Sequence, residues 1–435
     1  MKKIVLLLLM SSIACAQYSE TDILKNWLLP APATSSLYGE FSREAFRLLQ
    51  VRRDNMAAIN TLESLTAYQS GLRTTLQKVV GAFPERTPLN AVVTGRIDKP
   101  GYRVEKIRFE SMPGYYVTAC LFLPKTKGKR PAVLYCSGHS SNGFRSDVYQ
   151  TAILNLVQKG FAVFAFDPIG QGERLQYFDP VKGKSAIGGP TAEHSYVGAQ
   201  CFVTGYSPAL YFIWDGIRAI DYLLTRKEVD PSRIGITGRS GGGTQSSYIA
   251  AFDERIVASA PECYITSFRR LFESIGPRDA EQNFLHGIVH GIDHADLLLA
   301  RAPRPTLLIT TTRDMFSIQG VAETFAELAR FYRLHNAAER LAMVEDDTVH
   351  ASTQKNREAM YAFFQHFLQE KGDPAEQPLP VLTQEELQVT PQGQVALLAG
   401  NRTQFDLNRI YADQAIRKLA ERRQGAAEEH LQNVK

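Results

Sequence analysis

The chain has 435 residues, of which 44% are hydrophobic and 22% are charged, and its formal net charge is +4. This composition is that of an ordinary globular protein and excludes bulk disorder. Lysine and arginine are spread along the chain, so no polybasic segment indicates a nucleic-acid or anionic-lipid partner. The length allows several domains, of which we favour one large domain with an extension.

The first sixteen residues have the features of a secretory signal peptide. They read MKKIVLLLLMSSIACA, with a basic start, a short apolar stretch and Ala14-x-Ala16 before Gln17. We predict that residues 1–16 direct export to the periplasm or the extracellular space. Lipid anchoring at Cys15 is the alternative, because SIAC resembles a lipoprotein cleavage site. No later run approaches the roughly 20 apolar residues of a membrane-spanning helix.

Residues 17–100 are predicted to form a helical N-terminal extension. Apolar residues recur there at intervals of three and four until Pro84 ends the pattern. From Tyr102 the period changes, since YRVEKIRFE alternates and YYVTACLFL is rich in β-branched and aromatic residues. These two segments predict a β-hairpin at the start of a second domain, residues 101–371.

Beyond Arg130, apolar strands alternate with helical stretches. The strand segments are PAVLYCS, FAVFAFD, RIGITG, IVASAPE, PTLLITTT and RLAMVE. Such alternation predicts an α/β fold with a doubly wound, mostly parallel sheet and helices on both faces. Residues 372–435 are predicted to be a linker, GDPAEQPLP, and a small C-terminal appendage, which contains the alternating ELQVTPQGQVALL and a charged helix.

Ser240 is the candidate nucleophile. It lies in Gly238-Arg239-Ser240-Gly241-Gly242, which fits G-x-S-x-G between the strand RIGIT and the helix TQSSYIAAF. The glycines allow the two segments to approach closely, and the start of the helix directs free N–H groups at developing negative charge. The alternative is a glycine-rich turn with a capping serine.

A serine nucleophile in this fold needs a histidine base and an acid that follow it in the chain. His350 follows the last predicted strand, and Asp314 follows the strand before it, which gives the order Ser, Asp, His. Glu262, at the end of IVASAPE, stays open as an alternative acid, and a solvated loop is the alternative role for His350. The other late histidines fall in helical patterns or in the tail: His335, His366 and His430.

The same chemistry needs two backbone donors that form an oxyanion hole. We predict that one is the N–H of Gly241 and that the other comes from His139 or Ser140 in the loop SGHSSNG. A simple strand-to-helix turn is the alternative for that loop. The loop FDPIGQGER follows the next strand and is predicted to brace the site rather than to react.

Two insertions supply candidate pocket residues. The first spans residues 174–207 and contains aromatic side chains that suit sugar rings but are as often plain core: Tyr177, Phe178, Tyr196 and Tyr206. The second is HGIVHGIDHAD, in which His286, His290 and His294 have the spacing of metal ligands on a helix. Gly287 and Gly291 weaken such a helix, so we favour a pocket wall there and predict no metal.

The cysteines beyond the leader show no C-x-x-C spacing, so a structural zinc site on them is not indicated. They are Cys120, Cys136, Cys201 and Cys263. Export permits disulfides, whereas their apolar surroundings favour buried free thiols, and both states stay open.

In combination, several motifs resemble the secreted bacterial acetylxylan-esterase-like group of α/β-hydrolases, which are carbohydrate esterases. The motifs are CSGHSSNG, FDPIGQGER, WDGIRAIDYL, GRSGGG, TRDMFSIQG and DTVHAS. The resemblance implies the α/β-hydrolase fold over most of the chain. It also implies a triad of Ser240, Asp314 and His350, with oxyanion donors at Gly241 and at His139 and Ser140.

The expected function is therefore a secreted serine carboxylesterase that removes short acyl or methyl esters from plant-type polysaccharide without a cofactor. The expected partner is a carbohydrate ester. The alternatives are a serine peptidase of the same fold, a glucuronoyl or methyl esterase, and a non-catalytic glycan-binding homologue.

Overall fold

The computed structural model describes residues 33–433, with side-chain environments for residues 36–425. The predicted signal peptide and the alternative anchor at Cys15 lie outside the described residues. No helix within residues 33–433 is long and apolar enough to cross a lipid bilayer. The cysteines beyond the leader are buried free thiols: Cys120, Cys136, Cys201 and Cys263.

The helices lie mostly between successive strands. They are α1 (Ala33–Ala57), α2 (Leu62–Val80), α3 (Asp147–Gln158), α4 (Pro190–Val203), α5 (Ala209–Leu224), α6 (Gly241–Phe252), α7 (Phe268–Ser274), α8 (His294–Leu299), α9 (Ile318–Leu334), α10 (Gln354–Phe367) and α11 (Gln404–Asn433). Short 3₁₀ turns cover Gly143–Arg145, Ala280–Gln282, Ile288–His290, Ala338–Arg340 and Val395–Leu397.

The strands form one large sheet and one small ribbon. They are β1 (Val92–Lys99), β2 (Tyr102–Met112), β3 (Tyr115–Pro124), β4 (Arg130–Cys136), β5 (Ala162–Phe166), β6 (Phe178–Asp179), β7 (Lys184–Ser185), β8 (Val229–Arg239), β9 (Ile256–Glu262), β10 (Thr306–Arg313) and β11 (Leu341–Val349). Strands β6 and β7 pair only with each other.

The large sheet has nine strands in the order β1-β2-β3-β5-β4-β8-β9-β10-β11. Strands β5, β4, β8, β9, β10 and β11 run parallel, whereas β1, β2 and β3 add an antiparallel edge. The predicted α/β-hydrolase fold, with its mostly parallel sheet, is confirmed. Because the carboxyl ends of parallel strands meet at one edge, the loops after β4, β8, β9, β10 and β11 all leave the sheet on the same side.

Strand β4 shows why the sheet is covered on both faces. Val133 and Tyr135 pack in a core cluster with α3 and α10. The alternate residues Leu134 and Cys136 pack in a second cluster with α5 and α6. Successive side chains of a strand point to opposite faces, so an unbroken apolar run requires helices on both sides.

The N-terminal region differs in part from the prediction of a helical extension over residues 17–100. Helix α1 packs against α7 and the 3₁₀ turn Ile288–His290, and α2 packs against α9. Strand β1 lies in the same range but pairs antiparallel with β2, so the sheet begins before residue 101. Its residues are all exposed or half-buried, and this weak apolar signal explains why a strand was not predicted there.

The C-terminal region packs into the main domain. The alternating segment ELQVTPQGQVALL contains a 3₁₀ turn and no strand, and the predicted charged helix is α11. Leu382, Leu387 and Val389 are buried in the cluster that contains α3 and α10. The appendage therefore completes one face of the core.

A buried charged contact fixes α1 on the main domain. Arg52 Nε lies 2.6 Å from an Asp296 oxygen, and its Nη2 lies 2.7 Å from a Glu327 oxygen. The Arg52 side chain is only 4% exposed. Because this guanidinium balances two carboxylates inside the protein, its removal leaves uncompensated buried charge.

Arg52→Ala is expected to lower the free energy of unfolding by about 3–5 kcal/mol, since it breaks a buried ion pair from one side. The matched control is Arg53→Ala, at an exposed position of the same helix, which is expected to change stability by less than about 0.5 kcal/mol. Urea unfolding followed by circular dichroism measures both variants. Equal stability of the two variants would show that the buried contact does not anchor α1.

Candidate active site

Ser240 lies in a sharp turn between β8 and α6. Its φ is +59° and its ψ is −122°, a combination that non-glycine residues rarely adopt. The Ser240 N–H donates to the carbonyl oxygen of Glu262 at 2.9 Å, which holds the strained peptide in place. The side chain is partly exposed at the carboxyl edge of the sheet.

Gly238 and Gly242 are required because the backbone of Cys136 lies very close to the Ser240 turn. A Cβ atom would lie 2.2 Å from the carbonyl oxygen of Cys136 if added at Gly238, and 2.0 Å from it if added at Gly242. Both distances are far inside van der Waals contact, so only glycine fits at either position. This steric constraint explains the G-x-S-x-G pattern physically.

His350 and Asp314 form a hydrogen-bonded pair at the same edge. His350 Nδ1 lies 2.8 Å from Oδ1 and 3.0 Å from Oδ2 of Asp314. Burial opposes ionisation of Asp314, but hydrogen bonds from His350 and from the Phe316 N–H outweigh it and lower the pKa of the carboxyl group. An ionised Asp314 fixes the proton of His350 on Nδ1 and leaves Nε2 able to accept one.

Glu262, the alternative acid, is in a different environment. It ends β9 and is 5% exposed, and its Oε1 has no hydrogen-bond partner among the described residues. Burial raises the pKa of Glu262 to about 7, although Ser352, Arg239, Arg357 and His350 oppose the shift. The carboxylate that contacts the imidazole of His350 directly is therefore Asp314.

The loop after β4, residues 137–143, packs directly on the Ser240 turn. A Cβ atom at Gly138 would lie 2.3 Å from the Arg239 carbonyl oxygen and 3.2 Å from Cβ of Ser240. A Cβ atom at Gly241 would lie 3.2 Å from Nε2 of His139. The structure thus brings the predicted oxyanion residues beside Ser240.

The FDPIGQGER loop braces this arrangement through buried charges. Arg145 donates to both carboxylate oxygens of Asp167 at 2.8 Å and also binds Glu173 at 2.5 Å. Glu173 in turn accepts the N–H groups of Val389 at 2.6 Å and Thr390 at 2.7 Å. The loop is therefore tied both to the chain that follows the oxyanion loop and to the C-terminal segment.

A cavity of about 500 Å³ lies between this loop, the oxyanion loop and the C-terminal segment. Its wall is rich in amide, hydroxyl and backbone groups, including those of Ser141, Asn142, Gly170, Gln388 and Gln394.

The predicted aromatic pocket residues make packing contacts with α11. The ring centroid of Tyr177 lies 4.6 Å from that of Phe405, and the centroid of Tyr206 lies 4.6 Å from that of Tyr411. Tyr196 packs edge-on against Tyr177 and is 57% exposed. Phe178 forms part of the short ribbon with β7. Packing of the C-terminal helix accounts for Tyr177 and Tyr206.

The histidines of HGIVHGIDHAD do not lie on one helix. His286 has φ +60°, His290 ends a 3₁₀ turn, and His294 begins α8 after a left-handed Gly291. His294 stacks on Tyr264, and burial lowers the pKa of its imidazole to about 3. The glycines thus break the helix that this spacing would need, and the histidines do not share a face.

A cluster that sequence reasoning missed surrounds His139. His139 Nε2 lies 2.8 Å from Oε1 of Glu281 and 3.2 Å from Nδ1 of His194. The cluster lies beside the Ser240 turn, since a Cβ atom added at Gly241 would be 3.2 Å from Nε2 of His139. His139 is 55 positions from His194 and 142 from Glu281, so no local spacing could have indicated the cluster.

The raised pKa of Glu262 predicts a specific pH dependence of stability. The unfolded chain loses this proton near pH 4.5, whereas the folded chain keeps it until about pH 7. Stability therefore falls as pH rises through that window, by about 3 kcal/mol for this group. Glu262→Gln is expected to remove this fall.

The free energy of unfolding of wild type and Glu262→Gln at pH 4.5 and pH 7.5 tests this expectation. Glu254→Gln, at an exposed glutamate, is the control and should follow the wild-type profile. A pH profile of Glu262→Gln that parallels wild type would show that Glu262 titrates normally in the folded protein.

Comparison with known proteins identified a family model and a relative that match parts of the chain. Residues 92–285, which include Ser240 and the oxyanion loop, match the family described as Acetyl xylan esterase (AXE1). The YtaP protein of Bacillus subtilis (strain 168), whose name describes a hydrolase, is 26% identical over 310 residues, which cover 68% of this chain and 98% of YtaP.

Two solved structures share the fold. The methylesterase BT1017 has a TM-score of 0.66 at 22% identity, with 87% of this chain and 81% of that chain covered. Acetyl xylan esterase 1 from Thermoanaerobacterium sp. JW/SL YS485 has a TM-score of 0.50 at 19% identity, with 73% and 98% covered. The resemblance to the acetylxylan-esterase-like group is confirmed, and the chain is a carboxylic ester hydrolase similar to members of that group.

Proposed function

We propose that this chain is an exported serine esterase that removes acetyl or methyl esters from plant-type polysaccharide, with Ser240, His350 and Asp314 as its triad. The observation that carries the proposal is the His350–Asp314 pair, with its 2.8 Å hydrogen bond, at the sheet edge that also bears the strained Ser240. The chain order Ser, Asp, His is the order of α/β-hydrolases.

In the proposed mechanism, Nε2 of His350 takes the proton of the Ser240 hydroxyl as the oxygen attacks the ester carbonyl. The negative oxygen receives N–H donors from Gly241 and from the His139 to Ser140 stretch. His350 then protonates the leaving alcohol, which leaves an acyl-enzyme on Ser240. Water, activated by the same histidine, hydrolyses that acyl-enzyme and restores the serine.

The packing around Ser240 supports a small acyl group, as in an acetyl ester, whereas a methyl ester of a uronic acid would place the sugar on the acyl side. A Cβ atom added at Gly138 would lie 3.2 Å from Cβ of Ser240, and one added at Gly241 would lie 3.2 Å from Nε2 of His139, so the loop after β4 leaves little room on that side of the turn. The match to the family described as Acetyl xylan esterase supports a hydrophilic alcohol portion, as a glycan would supply. Export rests on the signal-peptide pattern of residues 1–16.

Substitution of each candidate acid should show which of the two carboxylates near His350 acts in catalysis. Asp314→Asn is expected to lower kcat by about 10³–10⁴, because the amide favours the wrong tautomer of the imidazole. Glu262→Gln should lower it by less than about tenfold, since this variant keeps the Asp314–His350 contact. Hydrolysis of an acetyl nitrophenyl ester measures both, with Ser240→Ala as the reference for lost nucleophilic catalysis, about 10⁴ or more.

Each outcome of that experiment has a definite reading. Full activity of Ser240→Ala would refute the proposed nucleophile. Loss confined to Glu262→Gln would assign the acid role to Glu262. Circular dichroism and thermal unfolding of each variant separate a catalytic defect from a folding defect.

The acyl preference is expected to be short. From acetyl to butyryl to octanoyl nitrophenyl esters, kcat/KM should fall by at least about tenfold per step, because steric exclusion exceeds the roughly 1–3 kcal/mol that a methylene contributes in an accommodating pocket. A panel of acetylated and methyl-esterified glycans then identifies the natural ester. A flat or rising profile toward octanoyl would contradict the glycan proposal, even with Ser240 as nucleophile.

A further inference from the structure

Three potential metal-ligand atoms converge beside the nucleophile turn. They are Nε2 of His139, Nδ1 of His194 and Oε1 of Glu281, and their separations are 3.2 Å between the nitrogens, 2.8 Å from His139 to Glu281 and 3.2 Å from His194 to Glu281. In a tetrahedral zinc site with bonds of about 2.0–2.2 Å, ligand atoms lie roughly 3.3 Å apart. The triangle therefore has nearly the size that a Zn²⁺ ion needs.

The hydrogen bonding of His194 leaves one ring nitrogen facing the centre of this triangle. Nε2 lies 2.7 Å from the Ile169 carbonyl oxygen, which can only accept, so Nε2 carries a proton. In the neutral imidazole, Nδ1 then directs a lone pair at the Glu281 carboxylate, so this contact requires either a second proton on His194 or a cation between the two groups. A histidine fixed by a backbone carbonyl through its second nitrogen is the usual arrangement around a bound metal.

Glu281 provides an independent indication of a ligand. Its side chain is 2% exposed, and within the described part of the chain its Oε2 has no hydrogen-bond partner. A buried carboxylate oxygen without a partner is costly. The carboxylate of Asp279 lies 3.8 Å from Nε2 of His139 and adds a second negative charge. Two carboxylates and two imidazoles suit a divalent cation.

We propose that His139, His194 and Glu281 form a binding site for a divalent transition metal of the zinc class. Two imidazole nitrogens and one carboxylate oxygen are a ligand set that Zn²⁺ accepts, with a fourth position left for water. His139 binds through Nε2 with its remaining proton on Nδ1. The site joins the oxyanion loop, α4 and the 3₁₀ turn Ala280–Gln282.

The metal in this proposal has a positioning role. His139 lies beside Gly241, where an added Cβ atom would be 3.2 Å from its Nε2, so a metal bond to His139 would fix the loop after β4 against the Ser240 turn. No step of the proposed ester hydrolysis passes through the ion, because Ser240 and His350 supply nucleophile and base. The two proposals therefore stand or fall separately.

The test uses untagged full-length protein that is stripped with a chelator, dialysed against Zn²⁺ and then freed of excess metal. Elemental analysis is expected to give about one zinc per chain for wild type and for Ser240→Ala. His194→Ala and Glu281→Gln are expected to bind zinc at least about 100-fold more weakly. Loss of a residue that only hydrogen-bonds to a metal ligand usually weakens binding by about 10- to 100-fold. His139→Ala, at a half-buried position, repeats the test should the buried variants unfold.

Two further readouts do not depend on activity. Zn²⁺ should raise the Tm of wild type by a few degrees and leave that of His194→Ala unchanged. Co²⁺ should give the visible absorption of a tetrahedral site in wild type only. His290→Ala is the matched histidine control and should keep its zinc.

Absence of stoichiometric zinc in wild type would overturn the proposal and identify the cluster as a buried ion pair of protonated His194 with Glu281. Retention of zinc by both His139→Ala and Glu281→Gln would also overturn it, as would loss confined to His290→Ala. Zinc retained by an inactive Ser240→Ala supports the metal site whether or not the esterase proposal holds.

Discussion

The contact between the Ser240 turn and the end of β4 is the constraint on which the rest of the site depends. The carbonyl oxygen of Cys136 lies where a side chain at Gly238 or Gly242 would stand. Strands β4 and β8 are parallel neighbours, so the end of β4 lies beside the end of β8. The Cys136 oxygen therefore lies against the turn in which the chain leaves β8 and enters α6. Only a glycine-flanked turn fits, and Ser240 is consequently held at a positive φ with its side chain at the sheet edge.

The buried charges behind the oxyanion loop extend this constraint to distant parts of the chain. Arg145 balances Asp167 and Glu173, and Glu173 accepts two backbone N–H groups of the C-terminal segment. Buried ion pairs contribute little net stability, since desolvation offsets the attraction, but they strongly disfavour alternative arrangements. The segment after residue 372 therefore belongs to the frame of the site, although its sequence resembles a linker and an appendage.

The parts of the molecule that were predictable from sequence are those with a local signal. The buried parallel strands are unbroken apolar runs, the Ser240 turn has its glycines within two residues, and strand order alone brings Asp314 and His350 to one edge. Strand β1 has no buried residue and only a weak apolar signal. The contact of His139 with His194 and Glu281 joins three elements that only the tertiary fold brings together, and no pattern in the chain encodes it.

The two carboxylates near His350, those of Asp314 and Glu262, lie in different environments, and this difference supports Asp314 as the acid of the proposed mechanism. Asp314 accepts hydrogen bonds from the imidazole and from the Phe316 N–H, so its charge is stabilised where the proposed mechanism needs it to balance an imidazolium. Glu262 ends the adjacent strand with one oxygen that has no hydrogen-bond partner in the described part of the chain, and burial raises its pKa to about 7. A group that is only partly ionised near neutral pH stabilises an imidazolium poorly. Two acids at one sheet edge thus differ because hydrogen bonds to the anion are present at one and incomplete at the other.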